Sequence, residues 1–336
     1  MEKKDKQPTI KEIAKKLKIS TSTVSRALKD HPSIGLVTTM RVKKVAEELG
    51  YEPNQTAIFF KQRKTFTIGI ILPSISEAFF SAAISEIEHI ANEHRYTVIL
   101  GQTADDPDRE MQVIEAMKKH RVDGIILSAA KNTTEYAFLP LLENAGIPIV
   151  FFDCVPNMEG VYAVLSDLKA GLHDAIDLLV SCGHSRIALI NGPSSLPASL
   201  ERYEGYLEGL EKHHLHLYTE YVEATDLSES RNLEAMERLI DLPNRPSAVI
   251  LFNDYVTLDA INACRKRNVV INQDIFFVSF ANFPYWKYMD NPPMASIEQL
   301  PGEQAIIAAN KLFALIDQPN LPYERIVLKS KLVKSL

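Results

Sequence analysis

Residues 9–29 read TIKEIAKKLKISTSTVSRALK, and the spacing within them decides the N-terminal fold. Thr9 followed three residues later by Glu12 is the capping-box pattern, in which each residue satisfies an orphan amide of the other. Ile10, Ile13, Ala14 and Leu17 then recur at helical spacing, which predicts a first helix ending near Leu17. Lys18-Ile19-Ser20 makes a turn, and Ser20 is a suitable N-cap for a second helix over residues 21–29. Val24, Ala27 and Leu28 form its inward face, so Thr21, Ser22, Ser25 and Arg26 point elsewhere. A third helix is expected from about Thr38 to Leu49, burying Val42, Val45, Ala46 and Leu49, with Gly50 as its stop.

Two short helices joined by a tight turn and braced by a third make helix-turn-helix geometry, in which the second helix enters the major groove of DNA. Arg26 can fork onto guanine, and short hydroxyls can meet phosphates or base edges. A small three-helix bundle with a solvated Ser/Thr face is the alternative that this pattern leaves open.

Charge separates the N-terminal segment from the rest. Residues 1–64 hold 15 Lys/Arg against 7 Asp/Glu, whereas the whole chain has 37 against 43 and a net charge of −6. A basic head on an acidic body suits a polyanionic partner for the head, either nucleic acid or an anionic membrane surface. No apolar run reaches the ~18–20 residues of a membrane span. The basic N-terminus lacks the apolar core of a secretory signal, so a cytoplasmic protein with no membrane role is expected. The three cysteines, Cys154, Cys182 and Cys264, are scattered and form no CxxC pair. They read as buried free thiols, not as disulfides or a zinc site.

From Thr67 onward, strand-like runs alternate with helical patterns. Strands are expected at 67–73, 97–102, 124–129, 148–153, 186–192, 248–254 and 275–281, with helices such as 80–93 and 109–119 between them. That alternation predicts an α/β body of two doubly wound parallel-sheet subdomains, with a ligand cleft at the carboxyl ends of the strands. Neither G-x-G-x-x-G nor G-x-x-x-x-G-K-[ST] occurs, and there is no G-x-S-x-G elbow. No enzyme, cofactor or metal site is therefore expected. His213-His214-x-His216 looks like a metal cluster but reads better as a solvated loop.

The run Thr9-x4-Ala14-x5-Ser20-x2-Thr23-Val24-Ser25-Arg26-x2-Lys29, followed by Val42-x6-Leu49-Gly50-Tyr51-x-Pro53-Asn54-x2-Ala57, resembles the head of the lactose-repressor (LacI/GalR) family. The body resembles the same family at Asp167-x3-Gly171-x11-Gly183-His184-x-Arg186, at Arg202-x2-Gly205-Tyr206, at Asn253-Asp254 and at Pro292 to Gln299. The resemblance implies three segments: a helix-turn-helix domain over 1–52, a hinge helix over 53–64, and an effector-binding and dimerisation body over 65–336. It implies a periplasmic-binding-protein-like fold for that body. The implied function is a homodimeric transcription regulator, a repressor, that binds a near-palindromic operator and responds to a small effector such as a sugar or sugar derivative.

By the same resemblance Thr21, Ser22 and Arg26 read bases, while Ser20, Ser25 and Thr38 contact phosphates. Asn54, Ala57 and Phe60 belong to the DNA-contacting hinge, with Phe60 where the family wedges a leucine into the minor groove. Phe60 packing against the body is the alternative. Effector contacts fall on Phe79, Phe80, Asp153, Arg202 and Asn253, although the two phenylalanines also suit a core and Asp153 a helix cap. Two departures stand out. Gly35-Leu36-Val37-Thr38-Thr39 replaces the family's Ser-x-x-Thr-Arg, and Ala281 replaces an effector-clamping Asp. A solute-binding protein would share the body pattern but not the basic head or the missing secretory signal, and an α/β enzyme with an accessory head would need a catalytic constellation that the sequence does not show.

Overall fold

Residues 8–51 and 64–335 are described by a computed structural model, in which the chain divides into two units, Met1–Thr65 and Phe66–Leu336. The first holds α1 (Ile10–Leu17), α2 (Thr21–Leu28) and α3 (Leu36–Glu48). The Glu12 carboxylate accepts the Thr9 amide at 2.7 Å, and Ser20 Oγ accepts the Thr23 amide at 3.0 Å. Each cap of this kind contributes about 1 kcal/mol. Ile13, Ala14, Val24, Ala27, Val42, Val45 and Ala46 make the core. Leu49 is only partly buried, and Thr39 joins the buried face instead.

The third helix starts two residues before the expected Thr38. The Gly35 carbonyl accepts from the amides of both Thr38 and Thr39, which draws Leu36 and Val37 into the first turn. Those two side chains are left 76% and 73% exposed. Gly50, at φ +61, closes the helix in the left-handed conformation that glycine adopts without strain.

The second unit is built on two six-stranded sheets. One runs β11-β5-β4-β3-β1-β2 and is parallel throughout. Its strands are β1 (Thr67–Leu72), β2 (Thr97–Gln102), β3 (Gly124–Leu127), β4 (Ile149–Phe152), β5 (Tyr162–Asp167) and β11 (Arg325–Lys329). The other runs β12-β10-β9-β8-β6-β7. It comprises β6 (Ile187–Asn191), β7 (Val222–Ala224), β8 (Ala248–Leu251), β9 (Phe276–Phe280), β10 (Ala295–Glu298) and β12 (Lys331–Lys334). β12 departs from the expected parallel arrangement: it pairs antiparallel with β10 at the sheet edge.

Side chains that alternate along each strand bury opposite faces. Ile68, Ile70 and Leu72 pack against α4 (Ala78–Glu93) and α11 (Pro301–Asp317). Ile71 turns to the other face, toward α5 (Pro107–Lys119) and α6 (Phe138–Glu143). In the second sheet Ala248 and Ile250 face α7 (Leu168–Ser181) and α8 (Pro197–Lys212), while Val249 and Leu251 face α9 (Glu229–Asp241) and α10 (Asp254–Lys266). With both faces covered, each strand is apolar nearly throughout. Gly209 permits the close approach of α8 to α7, because a Cβ there would stand 2.4 Å from Ile176 Cδ1.

The chain passes between the sheets three times, after β5, after β10 and after β11, and the crossings are tied together. Ser166 donates to the Gln299 carbonyl, Gln304 Nε2 donates to that carbonyl at 2.8 Å, and Ser330 donates to the Asp167 carbonyl at 2.8 Å. All three side chains are buried. Two smaller expectations need correction. Cys182 is exposed, because it caps the end of α7 where Gly183 turns the chain outward. His213 is held, not freely solvated: its Nε2 lies 2.6 Å from Asp177 Oδ1.

Candidate functional site

In the first unit, α2 presents the polar face expected of a reading helix. Ser20, Thr21, Ser22 and Arg26 are exposed, and Ser25 and Thr38 are half-buried. The Ser20 hydroxyl is engaged in capping and lies 2.7 Å from Ser22 Oγ, so its partners fix its direction. The Arg26 side chain makes no hydrogen bond or ion pair among the described residues and keeps its full fork of donors available. Asn54, Ala57 and Phe60 lie outside the described residues.

In the second unit, a cavity of about 280 Å³ opens where strands of both sheets end. This is just below the usual size of a small-molecule pocket, ~300–1,000 Å³. Pro73 follows β1, Ala129 follows β3, Asp153 follows β4, Asn253 follows β8 and Ala281 follows β9, so the lining is the set of carboxyl-end loops. All five expected effector residues, Phe79, Phe80, Asp153, Arg202 and Asn253, line it.

The two phenylalanines serve core and cavity together. They are 9% and 5% exposed, sit edge to face at 5.2 Å, and belong to the core against β1 while lining the cavity. Asn253 caps α10 by accepting the Val256 amide at 2.9 Å, so its amide NH2 is the part left for a ligand. Asp153 does not cap a helix. It sits in a turn at φ +59, its amide bonded to Gln304 Oε1 at 3.1 Å, with its side chain on the lumen. Burial pushes its carboxyl up to about 7, with neighbouring Glu77 adding to the rise and Arg202 opposing it.

Arg202 is 3% exposed. Its guanidinium carbon lies 4.2 Å from the Phe252 ring centre and 4.4 Å from that of Phe280, a two-sided cation–π seat. Nη1 donates to the Ala198 carbonyl at 3.2 Å, and Nε has no partner. Burial lowers its pKa to about 10, so it remains charged at neutral pH. Arg202 lines the cavity as a buried cation with one Nη1 bond to the protein, which suits it to receive an acceptor from a ligand.

Sequence reasoning missed several lining residues: Glu77, Lys131, Glu201, Tyr255 and Phe283. It also assigned no role to Asp254, which is 3% exposed. Asp254 accepts from the Ser279 hydroxyl, from Trp286 Nε1 at 2.8 Å and from the Phe283 amide at 2.6 Å. It therefore suspends the 281–288 segment, and with it Phe283, at the cavity. Ala281 lines the wall at φ +84, where the family pattern has its carboxylate.

Residues 9–54 match the family model described as bacterial regulatory proteins, lacI family, and residues 65–328 match that of periplasmic binding proteins and the sugar binding domain of the LacI family. The chain belongs to the LacI family. It is 30% identical over 94% of its length to the HTH-type transcriptional repressor CytR of Escherichia coli K12, covering 91% of that protein. A periplasmic binding protein/LacI transcriptional regulator from Alkaliphilus metalliredigens QYMF, solved with D-xylulofuranose, matches 80% of this chain and 97% of its own at 28% identity and a TM-score of 0.68. The lac repressor dimer bound to operator and the anti-inducer ONPF shares the fold over 98% of both chains, with a TM-score of 0.84 at 20% identity. The chain is thus a DNA-binding transcriptional regulator of the LacI family, whose members are regulators and not enzymes.

Proposed function

We propose that this protein represses transcription as a homodimer on a near-palindromic operator and that a small molecule in the body's cavity sets its affinity for DNA. Residues 1–52 serve as the reading head, 53–64 as the linker and 65–336 as the effector and dimerisation body. Thr21, Ser22 and Arg26 read bases. Ser20, Ser25 and Thr38 hold phosphates, and Asn54, Ala57 and Phe60 reach the minor groove. In the body, Phe79, Phe80, Asp153, Arg202 and Asn253 hold the effector.

The observation that carries this reading is the buried guanidinium of Arg202, which lines the cavity against the rings of Phe252 and Phe280 and spends Nη1 on the Ala198 carbonyl. That arrangement suits a hydroxylated ligand such as a sugar, whose oxygens accept from Arg202 and donate to Asp153. Regulation follows from linkage: an effector that prefers one arrangement of the two sheets shifts the population, and DNA affinity shifts with it. The exposed side chains of Val270, Tyr288 and Met289, which line one groove beside α10, offer apolar surface for a second copy. Among the described residues no helix is long and apolar enough to cross a membrane, in keeping with a partner in the DNA-containing compartment.

Selection of bound sequences from a randomised DNA pool tests this reading. Recovery of a palindrome with half-sites about one helical turn apart supports it. A bound pool with no enriched sequence, unchanged by a panel of metabolites, overturns it.

A further inference from the structure

The cavity's charges are unequal. Glu77, Asp153, Glu201, Glu204 and Asp254 line it against Lys131, Arg202 and Arg325. Part of this set is already paired. Glu204 meets Lys169 at 2.7 Å, and Lys131 meets Asp105 at 2.8 Å. Asp254 spends both oxygens on the 279–286 segment. Arg325 donates to the Pro156 carbonyl and offsets Glu201 through the field alone.

Glu77 and Asp153 line the same cavity as Arg202, and neither makes an ion pair among the described residues. Burial raises both carboxyls, and each is close enough to its neighbours to feel them: Glu77 feels Lys131 and Asp105, and Asp153 feels Arg202, Glu77 and Lys131. With Asp105–Lys131 and Glu204–Lys169 paired and Glu201 offset by Arg325, Glu77, Asp153 and Asp254 outnumber Arg202, so the lining is net acidic. An incoming phosphate or carboxylate would add like charge in a low-dielectric space, while a cation would relieve it. Ala281 adds neither a charge nor a hydrogen-bonding side chain to this lining. Phe79, Phe80 and Phe252 give the rest of the lining an apolar character that suits the face of a ring.

We propose that the effector is a polyhydroxylated amine of monosaccharide size, of the amino-sugar class, with its ammonium group beside Glu77 and Asp153 and a hydroxyl oxygen on Arg202. This inference rests on the reading of the cavity as the effector site. It excludes sugar phosphates and sugar acids as the physiological ligand.

Calorimetry on the full chain tests the proposal with matched sets built on the gluco, galacto and manno scaffolds: the 2-amino sugar, the parent hexose, its N-acetyl form, the uronate and the 6-phosphate. Each compound is also assayed for its effect on operator binding. At least one amine is expected to bind about tenfold or more tighter than its parent hexose, with no binding by its acidic counterparts. That preference should shrink as pH falls from 7.5 to 5.5 and Asp153 takes up a proton, and it should vanish in Glu77→Gln, whose folding is checked by thermal melting. If neutral or acidic sugars bind as tightly and alter operator binding, the charge assignment fails while the effector site stands. If no compound binds or moves the operator equilibrium, both fail.

Discussion

The indole nitrogen of Trp286 donates to Asp254 Oδ1 across 2.8 Å, and both residues are buried. The bond joins the start of α10 to a segment that returns to the cavity 32 residues later, so one carboxylate holds a wall of the site in place.

Asp254→Asn is expected to lower stability by about 1–3 kcal/mol. An amide oxygen can still accept from Ser279 and Trp286, but its NH2 would then confront the Phe283 amide, donor to donor. Trp286 is the only tryptophan in the chain, so its emission should shift to the red as the segment loosens. Urea denaturation followed by fluorescence measures both effects, and unchanged emission with unchanged stability would refute the anchoring role.

Stability should fall as pH rises from about 4 to about 7. Burial raises Asp153 to about 7 and Asp254 to about 6, above the ordinary carboxylate value near 4. The folded chain therefore binds these protons more tightly than the unfolded chain, and that contribution, present at low pH, is lost as each group ionises. The change is on the order of a few kcal/mol. Asp153→Asn should flatten the upper part of the curve, which melting across that pH range records.

Arg26→Ala should cost about 1–3 kcal/mol in binding to the selected operator. Affinity for random DNA should change far less, because phosphate contacts supply most of that binding. Titration of both DNAs at one salt concentration separates the two effects. Equal losses on both would make Arg26 a phosphate contact.

Ala281→Gly should raise stability by about 1 kcal/mol, since φ +84 is costly for any residue with a Cβ. The midpoint of urea unfolding checks this, and a decrease would mean that the Ala281 methyl packs usefully against the cavity wall.

The head was largely legible because its signals are local. Thr9, Glu12, Ser20 and Gly50 each act within a few residues, and the helices form where those residues place them. The start of α3 was misplaced because the Gly35 carbonyl provides the cap and leaves no side-chain signature. In the body, the seven expected strands are present, 97–102 with the bounds expected and the other six trimmed by one to three residues. The five others carry weak signals. β11 and β12 have only three and two consecutive apolar residues between basic ones, β7 spans only Val222–Ala224, β10 spans only Ala295–Glu298, and β5 runs into α7 with no turn residue between them. The expected cavity residues came from a resemblance that fixes positions one by one. Glu77, Glu201 and the Asp254–Trp286 bond depend on residues distant in sequence that meet only after folding.

The placement of β11 beside β5 bears on how the protein is made. The first sheet begins at Thr67 but is completed only by α11 and β11, which lie near the far end of the chain. At ~5–20 residues per second, a ribosome spends on the order of ten seconds or more between β5 and β11. Throughout that interval the edge of β5 is unpaired, and the α11 side of the sheet is bare apolar surface. Nascent chains should therefore depend on holding chaperones until the last turns of synthesis, and a ribosome that stalls before Arg325 would release a chain unable to close its first subdomain.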